Sequence, residues 1–271
     1  MTATLSGELR AHFEGDRRAS VHASGPLELR GPLTASRLYY LRNVTAGVFE
    51  GDAYRTSLHC APGAKARVES SSATKVYSMP SGAATTSVDL YAEGGSHLVW
   101  GPHATILHTG SSLRQETRVT VHDGARVLMA ETLVMGRIAA GQRFDFGSYE
   151  SSLVVQDGEG KVLYTEACRF SPDEDLKTAM GGLGVLTVVY GLGAIGADAE
   201  ERVEGLCAGR PLAGWSALPN RCGLVIKALT PSLSSGTSIA RESLALLSDE
   251  RTHDGTGDGL CEAPDVVHTQ R

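Results

Sequence analysis

The chain has 271 residues, 41% of them hydrophobic and 21% charged, at a net charge of −6, which describes a folded chain with room for a proper core rather than a disordered one. The mild negative charge excludes the clustered basic surface of a nucleic-acid binder, and no apolar run approaches the roughly 20 residues needed to cross a bilayer. Five scattered cysteines (Cys60, Cys168, Cys207, Cys222, Cys261) form no Cys-x-x-Cys pair, so neither a disulfide framework nor a structural zinc site is indicated, and a reducing cytoplasm is expected.

In chain order, Met1 to Arg10 lacks the basic and apolar regions of a signal peptide. From about residue 50 to 170 the pattern is period-2 alternation, as in Ser87-Val88-Asp89-Leu90-Tyr91, Arg118-Val119-Thr120-Val121-His122 and Leu153-Val154-Val155-Gln156. Each run is followed by a glycine turn and a second alternating run. Three segments share one frame: Pro62-Gly63-Ala64-Lys65-Ala66-Arg67-Val68, Gly94-Gly95-Ser96-His97-Leu98-Val99-Trp100 and Asp123-Gly124-Ala125-Arg126-Val127-Leu128-Met129. A looser fourth copy runs from Gly158 to Tyr164. A turn about every 30 residues, with alternation burying one face of each strand, predicts a mainly β, stacked, helix-like or layered body.

After residue 172 the character changes. Ser171-Pro172-Asp173-Glu174-Asp175 suits a turn or helix start, Leu183 to Tyr190 and Cys222 to Leu229 read as strands, and Ala197 to Leu206 and Ser238 to Ser248 as amphipathic helices. The expected organisation is a single domain over 1–271: a β-rich body (1–171), a mixed α/β section with about two helices (172–248) and a flexible tail (249–271).

Several residues invite chemistry. Gly191-Leu192-Gly193-Ala194-Ile195-Gly196 is a literal G-x-G-x-x-G between a strand and a helix, the local setting of a dinucleotide turn. No acid ends the next strand, and the first 170 residues show no alternating β and α units, so a flexible turn is the competing reading. His59, His97, His103, His108 and His122 fall within one stretch and suit nickel, copper or zinc; no pair has a familiar ligand spacing, so surface or core roles compete. Glu131 and Glu166 each follow an apolar strand-like run. An ionised carboxylate there must be paired, hydrated, cation-bound or turned outward. No G-x-S-x-G elbow is present, and no catalytic triad can be placed.

Three phrases stand in register: Leu41 to Asp52 with Gly47, Gly51 and Asp52; Ala73-Thr74-Lys75-Val76-Tyr77; and Glu131 to Gly136-Arg137 followed by Ala140-Gly141-Gln142-Arg143-Phe144. In order and spacing they resemble the UreD (UreH) family of urease accessory proteins, over about residues 15 to 170. The resemblance implies a non-enzymatic, cytoplasmic scaffold of stacked strands with two C-terminal helices. It implies binding to a UreF-like protein, through it to a UreG-like GTPase, and to apo-urease, with no nucleic acid or membrane. It also implies passage of transient Ni2+ with no tightly bound cofactor. By motif frame the nickel path falls on Asp52 and Glu131, and by a looser alignment on Glu166. Lys75, Tyr77 and Arg137 are expected in a polar network holding the strands. The chain departs from the family's phrases at Ala46, at Gln142 and at Gly101 to Ile106, where His103 offers a metal-binding group in place of an acid. A nucleotide-dependent enzyme using Gly191 to Gly196 and a metal-independent β-rich binding module are the alternatives.

Overall fold

A computed structural model describes residues 4–15, 20–32 and 37–248; the expected tail, 249–271, lies outside them. The elements run β1 (Ser6–Phe13), β2 (Ser20–Ser24), β3 (Leu27–Arg30), β4 (Leu38–Asn43), β5 (Ala53–Cys60), β6 (Lys65–Ser70), β7 (Thr74–Val76), β8 (Ala84–Ala92), β9 (His97–Trp100), β10 (Thr105–Leu107), β11 (Ser112–Val121), β12 (Arg126–Val134), β13 (Gly136–Arg137), β14 (Gln142–Arg143), β15 (Ser148–Asp157) and β16 (Val162–Phe170). They continue through α1 (Glu174–Ala179), β17 (Val185–Gly193), α2 (Ala199–Ala208), β18 (Ala213–Ala217), β19 (Gly223–Thr230) and α3 (Leu233–Leu247). The fold is mainly β, built of stacked coils, as the alternation predicts.

One sheet has the order β16-β15-β11-β8-β5-β1-β2 and the other β18-β19-β17-β12-β9-β6-β4-β3. In the first, β1, β5, β8, β11 and β15 are all parallel; in the second, β4, β6, β9 and β12 are parallel. Each coil rises through one sheet, turns, and returns through the other. Arg55 pairs with Ser87, Ser87 with Glu116 and Glu116 with Ser152, so a coil takes about 30 residues, within the range of repeat architectures.

The three framed segments are the turns between the sheets. Gly63, Gly95 and Gly124 have φ of 69°, 70° and 72°, left-handed values that glycine adopts without penalty. The register places Lys65 opposite His97 and His97 opposite Arg126, the alignment the repeat frame gives. The fourth segment behaves differently. β15 and β16 pair antiparallel, and the Asp157 carboxylate accepts from the Glu159 and Lys161 N–H groups, closing a hairpin within one sheet.

Residues 172–248 extend the second sheet instead of forming a separate layer, because β17 pairs antiparallel with β12 and with β19. Three helices are described where two were expected. The addition is the short α1, where Asp173 caps the Leu176 N–H. α3 starts five residues before the predicted Ser238, capped by the Ser232 hydroxyl accepting from the Ser235 N–H at 3.2 Å. It packs on β17 and β12, with Gly236 where a Cβ would stand 2.8 Å from Val185. Among the described residues no helix is long and apolar enough to cross a membrane.

Candidate functional site

Between the sheets the core divides. One apolar cluster lies toward the glycine turns and contains Leu58, Ala64, Leu90, Val127, Val155 and Leu192. Another lies at the far end of the strands and contains Leu9, Val76, Leu113, Leu133, Phe146 and Tyr149. A layer of polar side chains separates them, and its origin is register. Pairing puts Tyr54, Thr86, Gln115, Ser151 and Cys168 side by side across five strands of the first sheet. On the second sheet Glu131, Val188 and Lys227 form the matching row.

These two rows line one cavity of about 560 Å3. Its lining includes His103, Ser71, Ser72 and Lys75 on one side and Lys227 on the other, all exposed. The cavity thus extends between the sheets from these exposed residues beside β7 to Lys227 on β19. The hydroxyl of Thr86, buried in its wall, has no hydrogen-bond partner among the described residues. A buried hydroxyl in a polar wall calls for water or a ligand.

Glu131 sits in β12, whose Val127, Met129, Glu131 and Leu133 face the other sheet while Leu128 and Ala130 pack under the helices. Both faces are buried, which is why alternation left its direction open. The Gln115 amide donates to Glu131 Oε1 at 2.7 Å. Burial and the Glu166 charge push the Glu131 carboxyl up to about 7, against that hydrogen bond. Glu166 has the opposite balance. Its burial works upward, but the Lys227 ammonium at 2.6 Å and the Tyr164 and Tyr190 hydroxyls at 2.5 and 3.1 Å hold its carboxyl below the usual range. Two interacting carboxyls with environments that push them apart are a hallmark of functional sites.

Asp52 stands apart from this pair. It is 2% exposed, accepts from the Leu5 and Phe49 N–H groups and the Tyr54 hydroxyl, each at 2.9 Å, and reaches the cavity only through Tyr54. His103 is an exposed residue of the cavity lining, and its backbone N–H donates to the Ser70 hydroxyl. His59 and His122 pair with Glu93 and Tyr91. Among the described residues, no three His, Cys, Asp or Glu side chains converge as a metal cage.

The motif phrases interlock through the backbone. The Val48 N–H donates to the Lys75 carbonyl and the Tyr77 N–H to the Val48 carbonyl, and Gly47 leaves no room for a Cβ, which would stand 2.4 Å from the Lys75 oxygen. Tyr77 stacks on Phe49 at 4.8 Å and donates to the Ala46 carbonyl. Arg137 donates to Gln142 in the β13–β14 hairpin, which Gly136 and Gly141 allow with φ of 119° and 73°. Gly51, with φ of 80°, turns the chain toward Asp52. Thr74 and Lys75 lie on β7, paired to β10; the Lys75 ammonium, outside any such network, has no partner among the described residues.

The Gly191 to Gly196 stretch is no dinucleotide turn. β17 lies between two antiparallel neighbours, whereas that motif needs a parallel βαβ unit. Gly193 instead allows close passage, since a Cβ there would stand 2.3 Å from the Ala125 oxygen.

The fold and its site define a stacked-coil β scaffold around a polar cavity. A profile of the UreD urease accessory protein family matches residues 2–256. The chain is 34% identical over 239 residues to the urease accessory protein UreD of Haloarcula marismortui, covering 82% of this chain and 79% of that one. It is 28% identical over 253 residues to the UreD of Photorhabdus laumondii, covering 83% and 76%. This chain belongs to the UreD family; it is a urease maturation factor and not an enzyme.

Proposed function

We propose that this chain carries nickel to apo-urease through its internal passage while bridging apo-urease to a UreF-like protein and, through it, a UreG-like GTPase, in the cytoplasm. The observation that supports this most is the polar layer, where Glu131 and Glu166 share a cavity whose lining is exposed at both ends. A divalent cation in transit needs ligands that release it. Carboxylates, hydroxyls and one imidazole hold nickel more loosely than a thiolate cage.

The proton on Glu131 fits this role. A carboxyl with a pKa near 7 can give up its proton at physiological pH as a divalent cation arrives, so that the cavity gains one unit of positive charge rather than two, since metal binding requires the deprotonated ligand. Lys227 neutralises Glu166 between passages. His103 meets the ion at one opening. Asp52 sets the position of Tyr54 in the wall and is not itself a ligand in this reading.

The test is urease assembled in cells lacking this chain. Urease subunits are expected in normal amount but poor in nickel, with activity restored by the wild-type chain and not by the Glu131→Gln, Glu166→Gln double variant. Normal nickel content in the deletion strain would reject the proposal.

A further inference from the structure

A second concavity, an open groove of about 950 Å3, lies outside the passage. Its floor is apolar, formed by Ile106, Val134, Ile138 and Leu233. Its rim carries Lys75, His108 and Arg137, and its lining includes no Asp or Glu, in a chain whose net charge is −6. Pro231 and Ser232, at the N-terminal end of α3, close one side, where the helix adds positive potential. Burial lowers the His108 pKa, and the Arg137 and Lys75 charges lower it further, which registers the same positive field. Lys75 also lines the internal passage, so β7 forms the wall between groove and passage.

From this arrangement we infer that the groove is the docking site for an acidic amphipathic segment of a partner maturation protein, its apolar face on the floor and its Asp or Glu side chains on Lys75 and Arg137. The inference rests on the bridging role proposed above and specifies where one bridge contact forms. Charge complementarity selects the occupant. A small anion would leave the apolar floor uncovered, and three basic groups around an apolar floor are too few to follow a nucleic-acid backbone. Apolar anchors on a groove with polar contacts at its rim are the usual anatomy of helix-in-groove recognition. A segment seated here also covers the passage beside Lys75, so docking and metal transfer occur at one place.

The tagged full-length chain is co-expressed with the urease subunits and accessory proteins, and a photo-cross-linking residue replaces Ala139 on the groove wall. The wild-type surface should capture a urease maturation partner, with the cross-link falling on an acidic, apolar-faced segment. Lys75→Glu with Arg137→Glu should reduce capture at least about tenfold, Arg10→Glu with Arg169→Glu should not, and Asp or Glu to Lys changes in the cross-linked segment should restore it. That rescue separates lost docking from lost folding. Capture that survives reversal at Lys75 and Arg137, or a cross-link to a second copy of this chain or to a segment without acids, overturns the groove assignment while leaving the bridging role intact. A wild-type chain that captures no maturation partner overturns both.

Discussion

At the scale of single residues, Glu131 is the group whose environment departs furthest from what its position in the sequence suggests. A glutamate after Val127-Leu128-Met129-Ala130 is compatible with an outward-facing strand residue; register turns it inward, opposite Gln115 and near Glu166. Its linkage to pH follows. The folded-state pKa, about 7, lies above the ordinary 4.5, so between these values the folded chain binds more protons than the unfolded one. Stability contributed by the neutral acid is complete below about pH 4.5 and is lost as pH rises through 7. The shift corresponds to a loss on the order of 1–3 kcal/mol by pH 8. Glu131→Gln keeps the acceptor for Gln115 without the charge. It should therefore be the more stable chain at pH 8 and nearly equal to wild type at pH 5, as read by urea denaturation at both values. Parallel pH profiles for the two chains would show that Glu131 does not titrate where its surroundings place it. Glu166 contributes in the other direction, since its depressed pKa gives stability above the ordinary value that is lost as pH falls through the folded one.

At the scale of elements, the strands and coil turns were legible because each depends on local chemistry. Alternation marks the strands, and a glycine with positive φ is needed at each reversal, so the frame shared by Gly63, Gly95 and Gly124 survives into the register of β6, β9 and β12. The polar layer was less legible. Tyr54, Thr86, Gln115 and Ser151 recur at the coil spacing, a signal present in the sequence, but only pairing shows that they adjoin. The serines before Ser238 fall outside the predicted helix because their capping role depends on the helix that follows. Glycines differ in kind as well. A Cβ at Gly124 would make only ordinary van der Waals contact, the nearest atom being the Gly95 nitrogen at 3.6 Å, whereas a Cβ at Gly136 would stand 1.9 Å from the Gln142 carbonyl oxygen. Gly124→Ala should thus lower stability by about 1–2 kcal/mol, the left-handed penalty alone, while Gly136→Ala must also displace the β13–β14 hairpin and should lose several times more. Thermal midpoints compare them directly; equal losses would mean that the hairpin moves freely and does not hold the groove wall.

At the scale of the whole molecule, the nickel path proposed above runs through the polar layer, while the proposed docking groove lies outside it and meets the cavity at Lys75. The polar layer lies between the sheets with an apolar cluster packed on either side, and the Gln115–Glu131 and Lys227–Glu166 contacts tie the sheets across it. Filling the layer should therefore stop transit without dismantling the body. Ser151 is the suitable position, in the middle of the row between Gln115 and Cys168 and facing a cavity of about 560 Å3, which has room for an added ring. Ser151→Phe removes a polar wall group and places apolar bulk beside Glu131, making a bare divalent cation there costly. The expected chain folds with a thermal midpoint close to wild type, because apolar bulk in existing space adds burial without overpacking. It still captures its partners, yet it leaves co-expressed urease short of nickel by at least about tenfold, the loss expected when one barrier rises by about 1.4 kcal/mol or more. Metal content of the purified urease, measured beside partner capture from the same cells, reads both halves at once. Full nickel loading with Ser151→Phe would mean that the ion travels outside the polar layer, and the acids within it would then serve the fold alone.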